Sequence, residues 1–155
     1  MSTGQRGAAR VSVSLRPTTA KDSEFAYELK KTTLGEFVRQ VRGWDEDEQR
    51  RLHERRFATQ DFQVIVADGA DVGILALSLE HDCLRVNQLL VLPEHQGKGI
   101  GAACMRRVLE VAAGRRLPVR LQVLKANQRA ISFYRQLGFA DAGQDDAHVQ
   151  MEKRV

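Results

Sequence analysis

Residues 92–110 read LPEHQGKGIGAACMRRVLE, with glycines at alternate positions 97, 99 and 101. No other stretch constrains the fold as tightly. An apolar run, CLRVNQLLVLP, precedes it, and Ile100, Cys104, Val108 and Ala112 follow at helical spacing. The chain must therefore pass from strand to helix through a turn of nearly bare backbone. Further on, LPVRLQVLK alternates, with Val119, Leu121 and Val123 facing one way. Strand, helix and strand make a right-handed crossover between parallel strands.

Glycine at the mouth of a helix lets backbone amides face an anion, but glycine is also the default residue of a tight turn. The glycines alone leave both readings open. Their spacing does exclude two nucleotide fingerprints. A P-loop would need glycine at 92 and Ser or Thr at 99, where Leu92 and Gly99 stand. In the dinucleotide pattern the third glycine falls one residue later, and an acid lies near position 121; neither is present.

The rest of the chain fills in around this unit. VSVSLR, from Val11, alternates as a strand. Thr19 with Asp22 opens a helical region, Thr33 with Glu36 repeats the capping pattern, and Gly43 stops it. Asp45 with Glu48 starts another helix, running to about Ala58. FQVIVADGADVGILALSLE is two apolar runs around Asp68-Gly69, a hairpin. NQRAISFYRQLGF is a short helix stopped by Gly138, and two strands near 139–143 and 147–153 follow. The order β, α, α, β, β, β, α, β, α, β, β predicts a mixed α/β sheet with helices on its faces. One domain over residues 11–155 is expected, after a loose tail over 1–10.

Composition narrows the function. No apolar run reaches the length of a membrane span, and the N-terminus lacks the apolar core of a secretory signal, so a cytoplasmic protein is expected. Cys83, Cys104 and the four histidines have no ligand spacing, so no metal is expected. The net charge is +4, but the arginines are interleaved with acids and no aromatic basic stripe appears. Nucleic acid is therefore not the expected partner.

Gln96-Gly97-Lys98-Gly99-Ile100-Gly101 resembles the Q/R-x-x-G-x-G/A segment of the GCN5-related N-acetyltransferase (GNAT) superfamily. Asn127, Ala130, Phe133, Tyr134, Gly138 and Phe139 match that family's second segment, N-x-x-A-x-x-F-Y-x-x-x-G-F. The close match runs from about Leu84 to Phe139; the N-terminal half matches in element order only. The resemblance implies the acyl-coenzyme A N-acyltransferase fold, a mostly antiparallel sheet of about seven strands splayed between strands 4 and 5. It also implies an acetyl-coenzyme A-dependent N-acetyltransferase that acts by direct attack in a ternary complex. The alternatives are a non-catalytic acyl-coenzyme A sensor and a transferase acting on a protein or peptide amine.

By the same resemblance, the amides of Gln96, Gly97, Lys98, Gly99, Ile100, Gly101 and Ala102 cradle the coenzyme A pyrophosphate. Leu90, Val91 and Leu92 hold the pantetheine arm like an added strand. Asn127, Ala130, Phe133 and Tyr134 line the opposite wall. Tyr134 is the expected acid for the leaving thiolate, against a reading in which it only packs. Many relatives carry a glutamate on the entering strand, where this chain reads Arg85, Val86, Asn87, Gln88. The base is left unassigned among water held by Asn87, a backbone carbonyl and Glu46. Trp44 and Glu46 form either a wall for a cationic amine or an interhelical anchor with a solvated first turn. His148 either reaches that cleft or is structural. The expected partner is a small-molecule amine, and the chain a monomer or homodimer.

Overall fold

The computed structural model describes residues 11–154; the expected tail over 1–10 lies outside the described residues. Seven strands form one sheet: β1 (Val13–Pro17), β2 (Asp61–Ala67), β3 (Ala70–Leu79), β4 (Leu84–Val91), β5 (Val119–Leu124), β6 (Ala140–Gln144) and β7 (His148–Lys153). Their spatial order is β1-β2-β3-β4-β5-β7-β6. Every pairing is antiparallel except β4 with β5. The four α-helices are α1 (Ser23–Arg42), α2 (Glu46–Thr59), α3 (Ile100–Arg115) and α4 (Gln128–Gln136).

Local chemistry explains most boundaries. Asp68 and Gly69 both take positive φ, which suits the tight β2–β3 turn. Asp45 caps α2 by accepting a hydrogen bond from the Glu48 amide at 3.1 Å. The expected second capping box does not start a helix: Thr33 lies inside α1, where its hydroxyl donates to the Leu29 carbonyl at 2.8 Å.

Two cores flank the sheet. The larger packs α3 and α4 against it, with Leu75, Val86, Met105, Val108, Leu121 and Tyr134 among its members. The smaller sits under α1, around Leu29, Phe62, Ile74 and Leu90.

Strand β4 crosses from one alternation to the other. Leu77 pairs with Val86 and Ala76 with Gln88, so Asn87 is the extra residue of a β-bulge. Before it, Leu84 and Val86 face the larger core; after it, Leu89 and Val91 do, and Leu90 turns to the smaller one. Gly73 on β3 has no room for a side chain, since a Cβ there would collide with the Leu90 carbonyl.

Candidate functional site

The parallel pairing of β4 with β5 ends at Arg85–Arg120. From Val86 to Val91, β4 has no strand beside it on that edge among the described residues, and a wedge opens in the middle of the sheet. The strand then runs into the glycine turn. Gly97 and Gly99 have φ of +77° and +81°, and a Cβ on either would meet open space. Backbone angle, not crowding, demands glycine at both. Gly101 differs: a Cβ there would lie 3.3 Å from Phe133 Cζ, so its bareness lets α3 approach α4.

Gly99 caps α3 with no side-chain hydrogen bond. The first helical bond runs from the Ala103 amide to the Gly99 carbonyl at 3.0 Å. The amides of Ile100, Gly101 and Ala102 precede it and have no intrahelical acceptor, which is the arrangement that receives an oxyanion. Ile100 contributes only its amide, because its side chain is buried in the larger core. Lys98 is exposed beside the turn. The Gln96 side chain spans the wedge mouth. Its Nε2 donates to the Val91 carbonyl at 2.9 Å, and its Oε1 accepts from Arg129 Nη1 on α4 at 3.1 Å.

Helix α4 follows β5 in the chain. Asn127 Oδ1 caps it by accepting from the Ala130 amide at 3.2 Å. Tyr134 packs edge-on between Phe133 and Phe139, with ring centroids 5.0 and 5.5 Å away. The residue is 8% exposed. Its hydroxyl makes no hydrogen bond among the described residues, yet is not sealed from solvent. Burial pushes the phenol pKa well above its ordinary value, so it stays a proton donor at neutral pH.

The expected acceptor residues fall into separate places. Trp44 and Glu46 do meet, with Trp44 Nε1 3.2 Å from Glu46 Oε1. Glu46 also accepts from Lys31 Nζ at 2.8 Å and the Tyr27 hydroxyl at 2.6 Å. The Arg50 guanidinium stacks 4.2 Å from the Tyr27 ring centroid. The Lys31 and Tyr27 hydrogen bonds hold the Glu46 carboxyl at about 2. Asn87 spends its amide on Ser78 Oγ at 2.7 Å. His148 pairs across from Leu124 on β5, and its ring nitrogen sits 3.3 Å from Asp145. No hydrogen bond joins Asn87 or His148 to the Trp44–Glu46 pair among the described residues.

Sequence reasoning passed over the polar seam between α1 and α2, where Lys30, Gln49 and His53 are buried. It also passed over the Gln96–Arg129 bridge. The i, i+4 pairing of Gln49 with His53 was a signal for the first; nothing local signals the second.

The family model described as Acetyltransferase (GNAT) family matches residues 24–139. The streptothricin acetyltransferase of Streptomyces lavendulae is 36% identical over 95 residues, which are 59% of this chain and 50% of that protein. The chain spans about half the length of the curated relatives it matches. The PaiA N-acetyltransferase of Thermoplasma acidophilum, solved in complex with coenzyme A, superposes with a TM-score of 0.75 at 19% identity, over 93% of this chain and 99% of that one. Ard1 of Thermoplasma volcanium superposes with a TM-score of 0.70 at 25% identity, over 94% and 99%.

Proposed function

This chain belongs to the acetyltransferase (GNAT) family, and on that premise we propose that it is an acetyl-coenzyme A-dependent N-acetyltransferase acting on a primary amine of a small molecule. The observation that carries the reading is the wedge. A bare β4 edge runs directly into α3 amides without a side-chain cap, and Tyr134 on α4 carries a phenol without a hydrogen-bond partner among the described residues. The residues present fit the donor: an extended amide-bearing arm matches the free strand edge, and a pyrophosphate matches the helix mouth. The proposed transferase domain is residues 11–155.

Acetyl-coenzyme A supplies a thioester whose acyl carbon accepts the amine and whose thiol leaves. The protein's part is positioning and proton handling. Leu90, Val91 and Leu92 orient the donor arm, and the amides of Gln96 to Ala102, with Lys98, hold its phosphates. Asn127, Ala130 and Phe133 close the far wall. Tyr134 holds a proton at its hydroxyl for the departing sulfur. Glu46 is already engaged by Lys31, Tyr27 and Trp44, so it serves the acceptor side by fixing Trp44 rather than by taking a proton. The name of the Streptomyces relative supports a small-molecule acceptor.

The test is a thiol-release screen with acetyl-coenzyme A against small amines, polyamines, amino acids and peptide N-termini. Turnover with a small amine is expected. Turnover confined to peptide N-termini moves the acceptor to the protein class. Donor binding without release in any arm would reduce the chain to an acyl-coenzyme A sensor.

A further inference from the structure

We infer that Gln96 and Arg129 form a clasp at the wedge mouth, an inference that rests on the donor proposed above. Arg129 is a further donor-binding residue, whose guanidinium takes the coenzyme A pyrophosphate. Gln96 is a positioning residue that holds the guanidinium there.

The clasp is closed at both ends. Gln96 Nε2 donates to the Val91 carbonyl at 2.9 Å, and Gln96 Oε1 accepts from Arg129 Nη1 at 3.1 Å. A carbonyl only accepts and a guanidinium only donates, so a single orientation of the amide serves both. The Val91 carbonyl belongs to the bare edge. Val91 lies opposite Gly73, and the next amide, that of Leu92, donates to the Val72 carbonyl at 2.8 Å. Hydrogen bonding alternates along an antiparallel pair, so the Val91 N–H and carbonyl turn away from β3 and towards the wedge. Val91 is the last residue of β4 before the glycine turn. Left bare, its carbonyl would turn lone pairs towards an oxyanion seated on the α3 amides. Phosphate oxygens bring no N–H to satisfy it. The Gln96 amide covers it and makes it the anchor of a cation.

Arg129 stands where a cation is otherwise disfavoured. It lies in the first turn of α4, at the positive end of the helix dipole, and no acid shares that turn. It makes no ion pair among the described residues, and one neutral amide oxygen is its hydrogen-bond partner. The residue is exposed, with most of its N–H donors free. The first turn of α3 also lacks an acid, and exposed Lys98 comes just before it. The two helix starts are close: a Cβ on Gly101 in α3 would lie 3.3 Å from Phe133 Cζ in α4. Positive helix ends and cations gathered without an acid favour an anion. A pyrophosphate supplies the opposite charge and a row of acceptor oxygens that suits a guanidinium fork.

The experiment is calorimetric titration of the full chain with coenzyme A and with 3′-dephospho-coenzyme A, at low and high salt. Wild type should bind both. Arg129→Gln should weaken both by on the order of tenfold and flatten the salt dependence of Kd. Arg129→Lys should recover part of the loss, as a charge without a fork. Gln96→Met removes both hydrogen bonds at similar length. It should weaken binding on its own but clearly less in the Arg129→Gln background, because it acts largely through the same guanidinium. Equal binding by wild type and Arg129→Gln overturns the inference. So does a loss confined to coenzyme A, which would place the guanidinium on the 3′-phosphate. Strict additivity of the two substitutions removes Gln96 from the positioning role. A wild type that binds neither ligand overturns the donor reading, and the clasp's role falls with it.

Discussion

Lys30→Met should make the protein more stable, by an amount that depends on pH in a set direction. The ordinary lysine value is 10.5 and the buried one about 8, mainly through desolvation. Each pH unit of that gap is worth about 1.4 kcal/mol, so holding the charge in the seam costs about 3 kcal/mol at pH 7. The folded value lies below the unfolded one. The unfolded chain therefore binds more protons between pH 8 and 10.5, and wild-type stability rises through that window. Below pH 8 the penalty is complete; above 10.5 it is gone. Methionine keeps the apolar stem and removes the charge. In chloride buffer at pH 7 the variant should gain about 3 kcal/mol, or roughly 6–12 °C in Tm for a chain of this size. At pH 10 the gap should fall below about 1 kcal/mol. Urea melts of both proteins at the two pH values decide it. A gap under about 1 kcal/mol at pH 7, or the same gap at both, would refute the idea that an uncompensated ammonium is held there.

Tyr134→Phe should lower kcat on the order of 10²-fold while leaving the KM for acetyl-coenzyme A within a few-fold, read by thiol release once an acceptor is found. Gly73→Ala should cost on the order of 3 kcal/mol or abolish folding, because its Cβ meets the Leu90 carbonyl. Gly114→Ala, in open space near the end of α3, should instead gain about 0.5–1 kcal/mol in the same urea melts. Glu46 is held below its ordinary value of 4.5, at about 2, so its contribution is present above 4.5 and lost as pH falls toward 2. Glu46→Gln should flatten that part of the acid unfolding curve, followed by the fluorescence of Trp44, the only tryptophan.

The element order was legible because each boundary is a local decision. Asp68-Gly69, Asp45 with Glu48, and Gly97 with Gly99 impose their geometry within a few residues. The partners of those elements were less legible. β7 inserts between β5 and β6, a choice made by long-range packing that no window of sequence contains. The bulge at Asn87 depends on how β3 lies against β4, while VNQLLV offers apolar residues to either face. Thr33 carries the same residues as a helix start, yet inside a helix its hydroxyl turns back one turn. Helix α2 is so polar that its sequence suggests solvent on every side, which hid the burial of Gln49 and His53. In the candidate site the glycine turn and the Asn127 cap were legible as local geometry, since both act within a few residues. Glu46 was singled out beside Trp44, but its hydrogen bonds were not legible, because the donors Tyr27 and Lys31 lie far back in the chain.

The wedge has a cost that concerns the life of the protein rather than its chemistry. Edge strands normally sit at the rim of a sheet, where charges, prolines or bulges discourage other chains from pairing with them. Here six residues of β4 present such an edge in the interior of the sheet. Whatever fills the wedge also acts as a plug against foreign peptide strands. Solubility, resistance to proteolysis and shelf life should therefore track how full the wedge is kept, and a preparation with the wedge empty should be the first to clump.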